Sequence, residues 1–280
     1  MSFNDFSNQQ QFPTAENVPA SEKNTDISKP QKVNVRGVFV DNVTFDEAIQ
    51  CGTEMVHAGG FHAVYTPNAE IVQLCVEQKE IRALINRAEL ILPDGAGVLL
   101  AAKILNKPLK EKVAGIDFGE KMVEQAAKEG WGIYLLGGKP GVAQKAADKL
   151  KEKYPQALFV GTHDGYFQKE NEENDAVVEE INNSGAVILF VCLGVPMQEK
   201  WIDANRERLP NVRLAMGLGG SLDGYAGNVK RAPKFFVKWN LEWFYRLCKE
   251  PRRIGRMLKL PKLVFGTIWY RLFHRKETEA

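Results

Sequence analysis

The chain has 280 residues, of which 44% are apolar and 26% are charged, with 37 lysines and arginines against 35 acidic residues. This much apolar sequence can bury a full hydrophobic core, so the composition argues against a chain that is disordered throughout. The four cysteines are scattered without a close pair, which argues against a disulfide framework and against a cysteine zinc site.

The composition changes at both ends of the chain. Residues 1–31 are rich in Asn, Gln, Ser, Pro and Glu with almost no aliphatic side chains, which is typical of disorder and unlike a secretory signal. Residues 230–280 carry 14 lysines and arginines against 4 acidic residues, a net +10, whereas the preceding 229 residues carry −8. We therefore predict a disordered N-terminal tail at 1–32, an α/β core at 33–229 and a basic, aromatic appendage at 230–280.

The predicted core begins with a strand pair and a helix. The segment VNVRGVFVDNV, from Val33, alternates enough for two short strands. Thr44 and Glu47 then form the pattern of a capping box. The helix that they begin is predicted to run to about His57 and to stop at Gly59.

Polar residues follow the next two predicted strands. FHAVYTPNAEIV predicts a strand, a turn at Thr66 to Asn68 and a helix start, and ELILPDGAGVLLAAKIL repeats this pattern with Asp94 before Gly95. Asn68 and Asp94 each have two interpretations, as helix caps or as members of a ligand site, because ligands of open α/β sheets bind at the carboxyl ends of strands. Asp94 in particular is either a cap or a catalytic carboxylate.

A basic linker and a glycine turn come next. In KPLKEKVAGIDFGEKM, Asp117 is predicted to cap a helix that runs to Glu129. WGIYLLGGKPGVAQKAADKL predicts a strand, a glycine turn and a helix. Its turn glycines, Gly137, Gly138 and Gly141, would let the backbone approach a phosphate, but any tight strand-to-helix connection needs the same residues.

Three more strands complete the predicted sheet. ALFVGTHDGYF ends at His163 and Asp164, which we interpret as turn residues rather than a catalytic pair. AVILFVCLGVPMQEKW predicts a strand buried on both faces, and VRLAMGLGG leads into the loop of Asp223. Alternating strands and helices imply a mostly parallel sheet covered on both faces, with its polar turns gathered along one edge as a cleft for a nucleotide-bearing substrate.

The basic appendage contains a helical stripe of Phe236, Trp239, Trp243 and Leu247. The stripe is either part of the core or an interfacial surface for anionic lipid or diphosphate, since basic charge with Trp and Phe is typical of interfaces. The later segment LVFGTIWYRLF is about half as long as the roughly 20 apolar residues that a membrane span needs. It could lie on a membrane without crossing it.

Eight segments together carry a family resemblance. In chain order they are TPNAEIV, LPDGAGV, KVAGIDF, LLGGKPGVA, GTHDGYF, LGVPMQEKWI, GLGGSLDGYAGNVKRAP and LEWFYRLCKEPRRIGR. With them the chain resembles the WecG/TagA/CpsF glycosyltransferases from about Val33 to Leu260. The resemblance implies a Rossmann-like α/β fold, mostly parallel with helices on both faces, and a basic amphipathic helical appendage at the C-terminus.

The resemblance also implies a reaction. Enzymes of this family move an N-acetylmannosamine-type sugar, with inversion, from its UDP donor onto N-acetylglucosamine carried on undecaprenyl diphosphate. The teichoic acid branch uses UDP-N-acetylmannosamine for the linkage unit of that cell-wall polymer, and the enterobacterial common antigen branch uses the uronic acid. We accordingly expect no cofactor and no metal.

The expected partners follow from the same resemblance. They are the UDP-sugar donor, the polyprenyl-diphosphate-linked acceptor and an anionic membrane surface, with no nucleic acid. The protein is expected to be cytoplasmic and peripherally attached to the inner face of the bacterial cell membrane. An exposed apolar rim around the appendage would also support a homo-oligomer.

The family pattern assigns roles to individual residues. Asp94 becomes the general base, with Thr66 and Asn68 in the same catalytic pocket. Lys112 stands where the family usually has Arg, and it keeps the charge but lacks the bidentate fork. Gln198 and Glu199 would hold the sugar or nucleotide, and the arginines of the appendage would bind diphosphates. The full set of substrate-binding candidates is Lys112, Gly137, Gly138, Gln198, Glu199, Asp223, Arg231, Arg246, Arg252, Arg253 and Arg256.

Two other classes of protein explain part of the sequence. A nicotinamide-dependent oxidoreductase would explain the glycine turn, but it should show a tighter glycine fingerprint and a ribose-binding acid about 20 residues later. A nucleic-acid-binding module would explain basic residues among aromatic ones, but not the acidic and amide residues at the ends of the predicted strands.

Overall fold

The computed structural model describes residues 30–229 and 258–273, together with Pro233, Phe236 and Gly255. The predicted disorder of the N-terminal tail and most of the predicted aromatic stripe lie outside the described residues. The described part opens with an antiparallel hairpin of β1 (Lys32–Val35) and β2 (Val38–Asp41), which confirms the predicted strand pair.

The remaining strands form one parallel sheet of six strands, in the order β4-β3-β8-β7-β5-β6. The strands are β3 (His62–Tyr65), β4 (Leu90–Ile91), β5 (Gly132–Gly137), β6 (Leu158–His163), β7 (Ile188–Cys192) and β8 (Leu214–Gly217). All five residues of β7 are buried, as its continuous apolar run predicts for a strand covered on both faces.

Helices connect the strands and cover both faces of the sheet, which confirms the predicted fold class. They are α1 (Phe45–Ala58), α2 (Ala69–Glu77), α3 (Lys79–Ile85), α4 (Ala96–Ile104), α5 (Gly115–Glu129), α6 (Val142–Lys153), α7 (Glu172–Asn183), α8 (Met197–Asn205), α9 (Ser221–Tyr225) and α10 (Lys259–Phe273). One core contains residues of α2, α3, α4, α7, α8, α10 and the hairpin, and the other contains residues of α1, α5, α6 and α9.

Local sequence signals place some helix ends correctly and one wrongly. The capping box of Thr44 and Glu47 is present, and Gly59 ends α1, as predicted. The prediction that Asp117 caps α5 is wrong. The N-cap residue of α5 is Ala114, so Asp117 already lies in the first helical turn, and its backbone nitrogen donates to Ala114 O at 3.0 Å. A carboxylate in the first turn still interacts favourably with the helix dipole.

Helix α10 packs along α2 and α4 with one side and exposes apolar residues on the other. Leu263 and Thr267, 1% and 0% exposed, face the core, and Arg271 Nη1 donates to Ile104 O at the end of α4 at 2.7 Å. On the outer side, Phe265 and Leu272 are 71% and 70% exposed. Within residues 30–229 and 258–273, no helix combines the length and the apolar character that crossing a membrane requires.

Candidate active site

At the carboxyl edge of the sheet, two neighbouring strands have connections that leave toward opposite faces, and we call the space between these connections the crevice. After β3 the chain enters α2, which belongs to one core, and after β8 it enters α9, which belongs to the other. The two loops therefore diverge between adjacent strands, and open α/β sheets bind their ligands in such crevices. The loops that follow β4, β7 and β5 reach the same edge.

Thr66 lies at this crevice and connects its two sides. Its hydroxyl Oγ1 donates to Gly217 O, at the end of β8, at 3.2 Å, and the side chain is buried. The start of α5 closes over the same hydroxyl, since a Cβ atom on Gly115 would lie 2.7 Å from Thr66 Oγ1. Only a residue without a side chain lets the N-terminus of α5 approach so closely.

Asn68 caps the helix that follows Thr66. Its Oδ1 accepts hydrogen bonds from the backbone nitrogens of Glu70 at 2.9 Å and Ile71 at 3.1 Å. The capping interpretation of Asn68 is therefore confirmed. The carbonyl side of its amide is used to fix the start of α2, and the residue itself stands next to the loop that carries Asp94, because a Cβ atom on Gly95 would lie 3.9 Å from Asn68 Cβ.

Asp94 follows β4 on a loop that is tied to the Thr66 loop. The backbone nitrogen of Asp94 donates to Pro67 O at 3.3 Å, and that of Leu92 donates to Tyr65 O at 2.8 Å. The N-cap residue of α4 is Gly95, with φ of 88°, so Asp94 stands one position before the cap. The half-buried Asp94 is thus bonded through its backbone to Pro67, the residue between Thr66 and Asn68.

Gln198 and Glu199 lie beneath the loop that follows β8. Gln198 Oε1 accepts from Gly219 N at 2.9 Å, and its Nε2 donates to Glu199 Oε1 at 2.9 Å. The two side chains are only 2% and 1% exposed. Burial raises the pKa of Glu199 to about 7, because a low-dielectric interior disfavours the charged carboxylate.

The sequence model of the Glycosyl transferase WecG/TagA/CpsF family matches residues 33–277. The chain belongs to this family.

Two relatives of this glycosyltransferase carry the same name. Each is named N-acetylglucosaminyldiphosphoundecaprenol N-acetyl-beta-D-mannosaminyltransferase. The protein of Bacillus spizizenii is 36% identical over 205 residues, which cover 73% of this chain and 78% of the relative. The protein of Bacillus subtilis is 36% identical over 199 residues, which cover 71% of this chain and 76% of the relative.

Because Gln198 and Glu199 are buried, they could influence a ligand of the glycosyltransferase only indirectly. The sequence predicts that they hold the sugar or nucleotide, but their side chains are enclosed under the β8 loop. Their influence on a ligand would pass through the backbone of Gly219, whose nitrogen is bound to Gln198. Glu199 Oε2 is buried and has no hydrogen-bond partner among the residues that the structure describes.

The glycine turn after β5 has a structural cause of its own. Gly137 has φ of 126°, and a Cβ atom there would lie 2.3 Å from Cys192 O at the end of β7. Gly138 N donates to the same carbonyl at 3.2 Å. Close contact between the ends of β5 and β7 therefore requires Gly137 whether or not a phosphate binds there.

Lys112 and Asp223 stand at two further positions around the crevice. Val113, next to Lys112, donates its backbone nitrogen to Pro93 O at 2.9 Å, which brings the start of α5 to the Asp94 loop. Asp223 O accepts from Asn228 N at 2.9 Å and so closes the turn that leads to residue 230. The predicted diphosphate ligands of the appendage lie outside the described residues: Arg231, Arg246, Arg252, Arg253 and Arg256.

His163 and Asp164 form a turn, as predicted. The ring Nδ1 of His163 is 2.8 Å from Asp164 O, and Asp164 Oδ1 accepts from Tyr166 N at 2.7 Å. Sequence reasoning did not single out Gly115 or Gly219 as parts of the site. Both are visible in the sequence only as glycines within KVAGIDF and GLGG. The sequence does not show which side chain packs against each glycine.

Proposed function

We propose that this glycosyltransferase moves N-acetylmannosamine from UDP-N-acetylmannosamine onto N-acetylglucosaminyl-diphospho-undecaprenol, with inversion at the anomeric carbon. The names of the two Bacillus relatives support this choice of donor sugar and acceptor. The product would be the linkage unit of a teichoic acid or of a related cell-surface polymer. The same chemistry with UDP-N-acetylmannosaminuronic acid is the alternative.

The observation that carries the proposal is a pair of hydrogen bonds at the crevice between β3 and β8. One joins the Asp94 backbone to Pro67, and the other joins the Thr66 hydroxyl to Gly217 at the end of β8. In the proposed reaction, the Asp94 carboxylate takes the proton of the acceptor hydroxyl as that oxygen forms its bond to the anomeric carbon. The bond between the anomeric carbon and the UDP oxygen breaks, and UDP leaves with the bonding electrons. A half-buried carboxylate at a strand end is suitably placed for this role.

Negative charge that develops on UDP needs stabilisation by cations or aligned backbone dipoles. Lys112 precedes α5 by a few residues, and the start of α5 lies against Thr66. A helix N-terminus binds phosphate because its first nitrogens point outward and the helix dipole favours an anion. We assign the diphosphate of the donor to this side of the crevice, with Gly219 on the opposite side.

The appendage is proposed to hold the enzyme at the inner face of the membrane, where the acceptor lies. The net charge of residues 230–280 is +10, and each basic residue near an anionic surface contributes about 1 kcal/mol. The exposed side of α10 adds apolar residues, among them Phe265 and Leu272. The arginines of the appendage would then reach the diphosphates of donor and acceptor.

A two-donor assay tests the reaction. The purified full chain is incubated with N-acetylglucosaminyl-diphospho-lipid in anionic vesicles, and UDP-N-acetylmannosamine or its uronic acid is supplied separately. We expect UDP release and a disaccharide lipid with UDP-N-acetylmannosamine. Turnover with the uronic acid alone would show that the alternative donor is the substrate. The proposal would be refuted if folded protein made no disaccharide with either donor.

A further inference from the structure

A second, basic cavity lies away from the candidate active site. It has a volume of about 220 Å³ and lies between the β1–β2 turn, α3, the end of α4 and α10. Because α4 begins at the carboxyl edge of the sheet and spans about 13 Å, its far end is distant from the crevice. The lining residues are Asn34, Arg36, Gly37, Val76, Arg82, Leu105, Lys107 and Tyr270. The described lining residues include three cationic side chains and no carboxylate.

The guanidinium of Arg36 is the most unusual group in this cavity. Its Nη1 is buried without a hydrogen-bond partner among the described residues, and its carbon Cζ lies 4.5 Å from the ring centre of Tyr270 on α10. Burial lowers the pKa of Arg36. A buried hydrogen-bond donor without an acceptor destabilises the folded protein. A ligand atom that enters the cavity and accepts this hydrogen bond would therefore bind favourably.

The hairpin turn holds Arg36 beside a second arginine. Gly37 O accepts from Asn86 Nδ2 at 2.8 Å, and Asn34 Oδ1 accepts from Gly37 N at 2.7 Å. A Cβ atom on Gly37 would lie 2.7 Å from Arg82 Cδ, so the turn packs directly on the Arg82 side chain. Both arginines therefore line the same cavity, and an anion bound there would interact favourably with both positive charges.

Two residues with left-handed backbone lie at or next to the cavity. Among the described residues, Arg36 and Asn106 are the two that are not glycine and have positive φ, at 57° and 58°. Arg36 lines the cavity, and Asn106 directly precedes the lining residue Lys107. Arg36 takes this conformation as the first residue of the two-residue hairpin loop between β1 and β2, and Asn106 takes it as the residue that follows the C-cap of α4. In this protein, both instances set the position of a cation in one cavity.

We propose that this cavity binds a phosphate group. Arginine presents several nitrogens in a planar fork that matches phosphate oxygens, and Lys107 supplies a further point charge. The pocket is separate from the one assigned to the UDP-sugar, so this inference does not depend on which sugar the enzyme transfers.

The surroundings favour a lipid as the carrier of that phosphate. Tyr270 lies on α10, whose outer side exposes Phe265, Trp269, Leu272 and Phe273. Aromatic and aliphatic side chains beside cations are typical of surfaces that insert into the headgroup region of a membrane. A soluble phosphate ester is the other source of the same chemistry.

Calorimetric titration of the full chain distinguishes these sources. One titrant is dihexanoyl phosphatidylglycerol below its micellar concentration, and the other is glycerol 3-phosphate. The pocket variant is Arg36→Gln/Arg82→Gln. The matched control is Lys128→Gln/Lys153→Gln, which removes the same charge from exposed positions on α5 and α6. If the pocket variant loses cooperative unfolding, Arg82→Gln/Lys107→Gln replaces it.

We expect the pocket variant to bind the lipid about tenfold or more weakly than the wild type, and the control to bind it within about twofold. Binding of the lipid without binding of the ester supports a headgroup ligand, and equal binding of both supports a soluble phosphate ester. The proposal is overturned if neither titrant binds the wild type, or if the pocket and control variants bind alike.

Discussion

The Thr66 hydroxyl donates a hydrogen bond to the carbonyl oxygen of Gly217 across 151 residues of chain. This bond joins the ends of β3 and β8 at the point where their connections separate, and it fixes the wall of the crevice that Asp94 borders. The chemistry proposed here depends on this junction, because the acceptor hydroxyl and the anomeric carbon must be held in line between the two loops.

Asp94→Asn should remove most of the turnover while it leaves the fold intact. Loss of a general base typically lowers kcat by about 10² to 10⁴-fold, and the amide keeps the size of the side chain. The measurement is disaccharide formation at saturating donor, with thermal unfolding followed in parallel.

Asp164→Asn is the matched control for Asp94→Asn. It lies at the same edge of the sheet, after β6, and its Oδ1 accepts from Tyr166 N, a bond that the Asn oxygen can keep. The control should retain turnover within about twofold. Equal activity of the two variants would remove Asp94 from the role of base.

Thr66→Val should weaken both the site and the fold. The variant loses the hydrogen bond to Gly217 O and places a methyl group against Gly115, so we expect the free energy of unfolding to fall by about 1 to 3 kcal/mol. Turnover should fall further than stability alone explains, since the end of β8 loses its side-chain bond to the loop that follows β3.

Thr66→Ser tests that interpretation. It keeps the hydroxyl and removes only a methyl group, so it should restore most of the turnover. A serine variant as inactive as the valine variant would mean that packing of the methyl group, and not the bond to Gly217, is what the site requires.

Glu199→Gln should change how stability depends on pH. Burial raises the pKa of Glu199 from its ordinary value of 4.5 to about 7. Between these values the folded protein keeps a proton that the unfolded chain has released, so the free energy of unfolding falls as pH rises through this window, by about 3 kcal/mol in all. Glutamine has no proton to lose and should remove that fall.

Urea denaturation at pH 5, 6, 7 and 8 measures the effect. The variant should be increasingly more stable than the wild type as pH rises to 7, and the difference should then level off. A difference that is constant with pH would show that Glu199 is already ionised in the folded protein across this range.

The two sides of α10 should respond differently to substitution. Phe265→Gln/Leu272→Gln changes exposed residues and should weaken binding to anionic vesicles with little change in stability. Leu263 is only 1% exposed, so Leu263→Ala would leave a cavity in the core. It should lower the free energy of unfolding by about 2 to 5 kcal/mol.

Vesicle sedimentation and thermal unfolding of both variants check this prediction. Unchanged sedimentation of the double glutamine variant would show that the exposed side of α10 does not meet the membrane. The buried side also means that deletion from Lys230 onward is a poor test of the appendage, because it would uncover the faces of α2 and α4.

Local signals in the sequence predict the elements of this fold well. Residues that are close in sequence form the capping box of Thr44 and Glu47, the apolar run of β7 and the glycine turn after β5. The local sequence is therefore enough to predict each of them. Asn68 was open to two interpretations because an N-cap and a ligand site select the same side chain. Asp117 was misplaced because an acidic residue is favoured both at the cap and within the first turn.

Long-range packing explains what the sequence could not predict. The strand order, which sets β8 beside β3, follows from contacts between distant segments, and no spacing in the chain encodes it. Gln198 and Glu199 are polar residues at a strand end, where solvent or ligand contact is the usual expectation. Their burial becomes clear only once the β8 loop is seen to cover them.

The position of β8 also has a consequence for synthesis on the ribosome. β8 is the last strand of the sheet to be made, yet it lies between β3 and β7 and joins the pair β4-β3 to the trio β7-β5-β6. Until residues 214–217 emerge, both halves of the nascent sheet expose a strand edge that is able to pair with another chain. Premature termination before β8 would thus leave two separate half-sheets prone to aggregation, although the candidate residues Thr66 and Asp94 would already have been made.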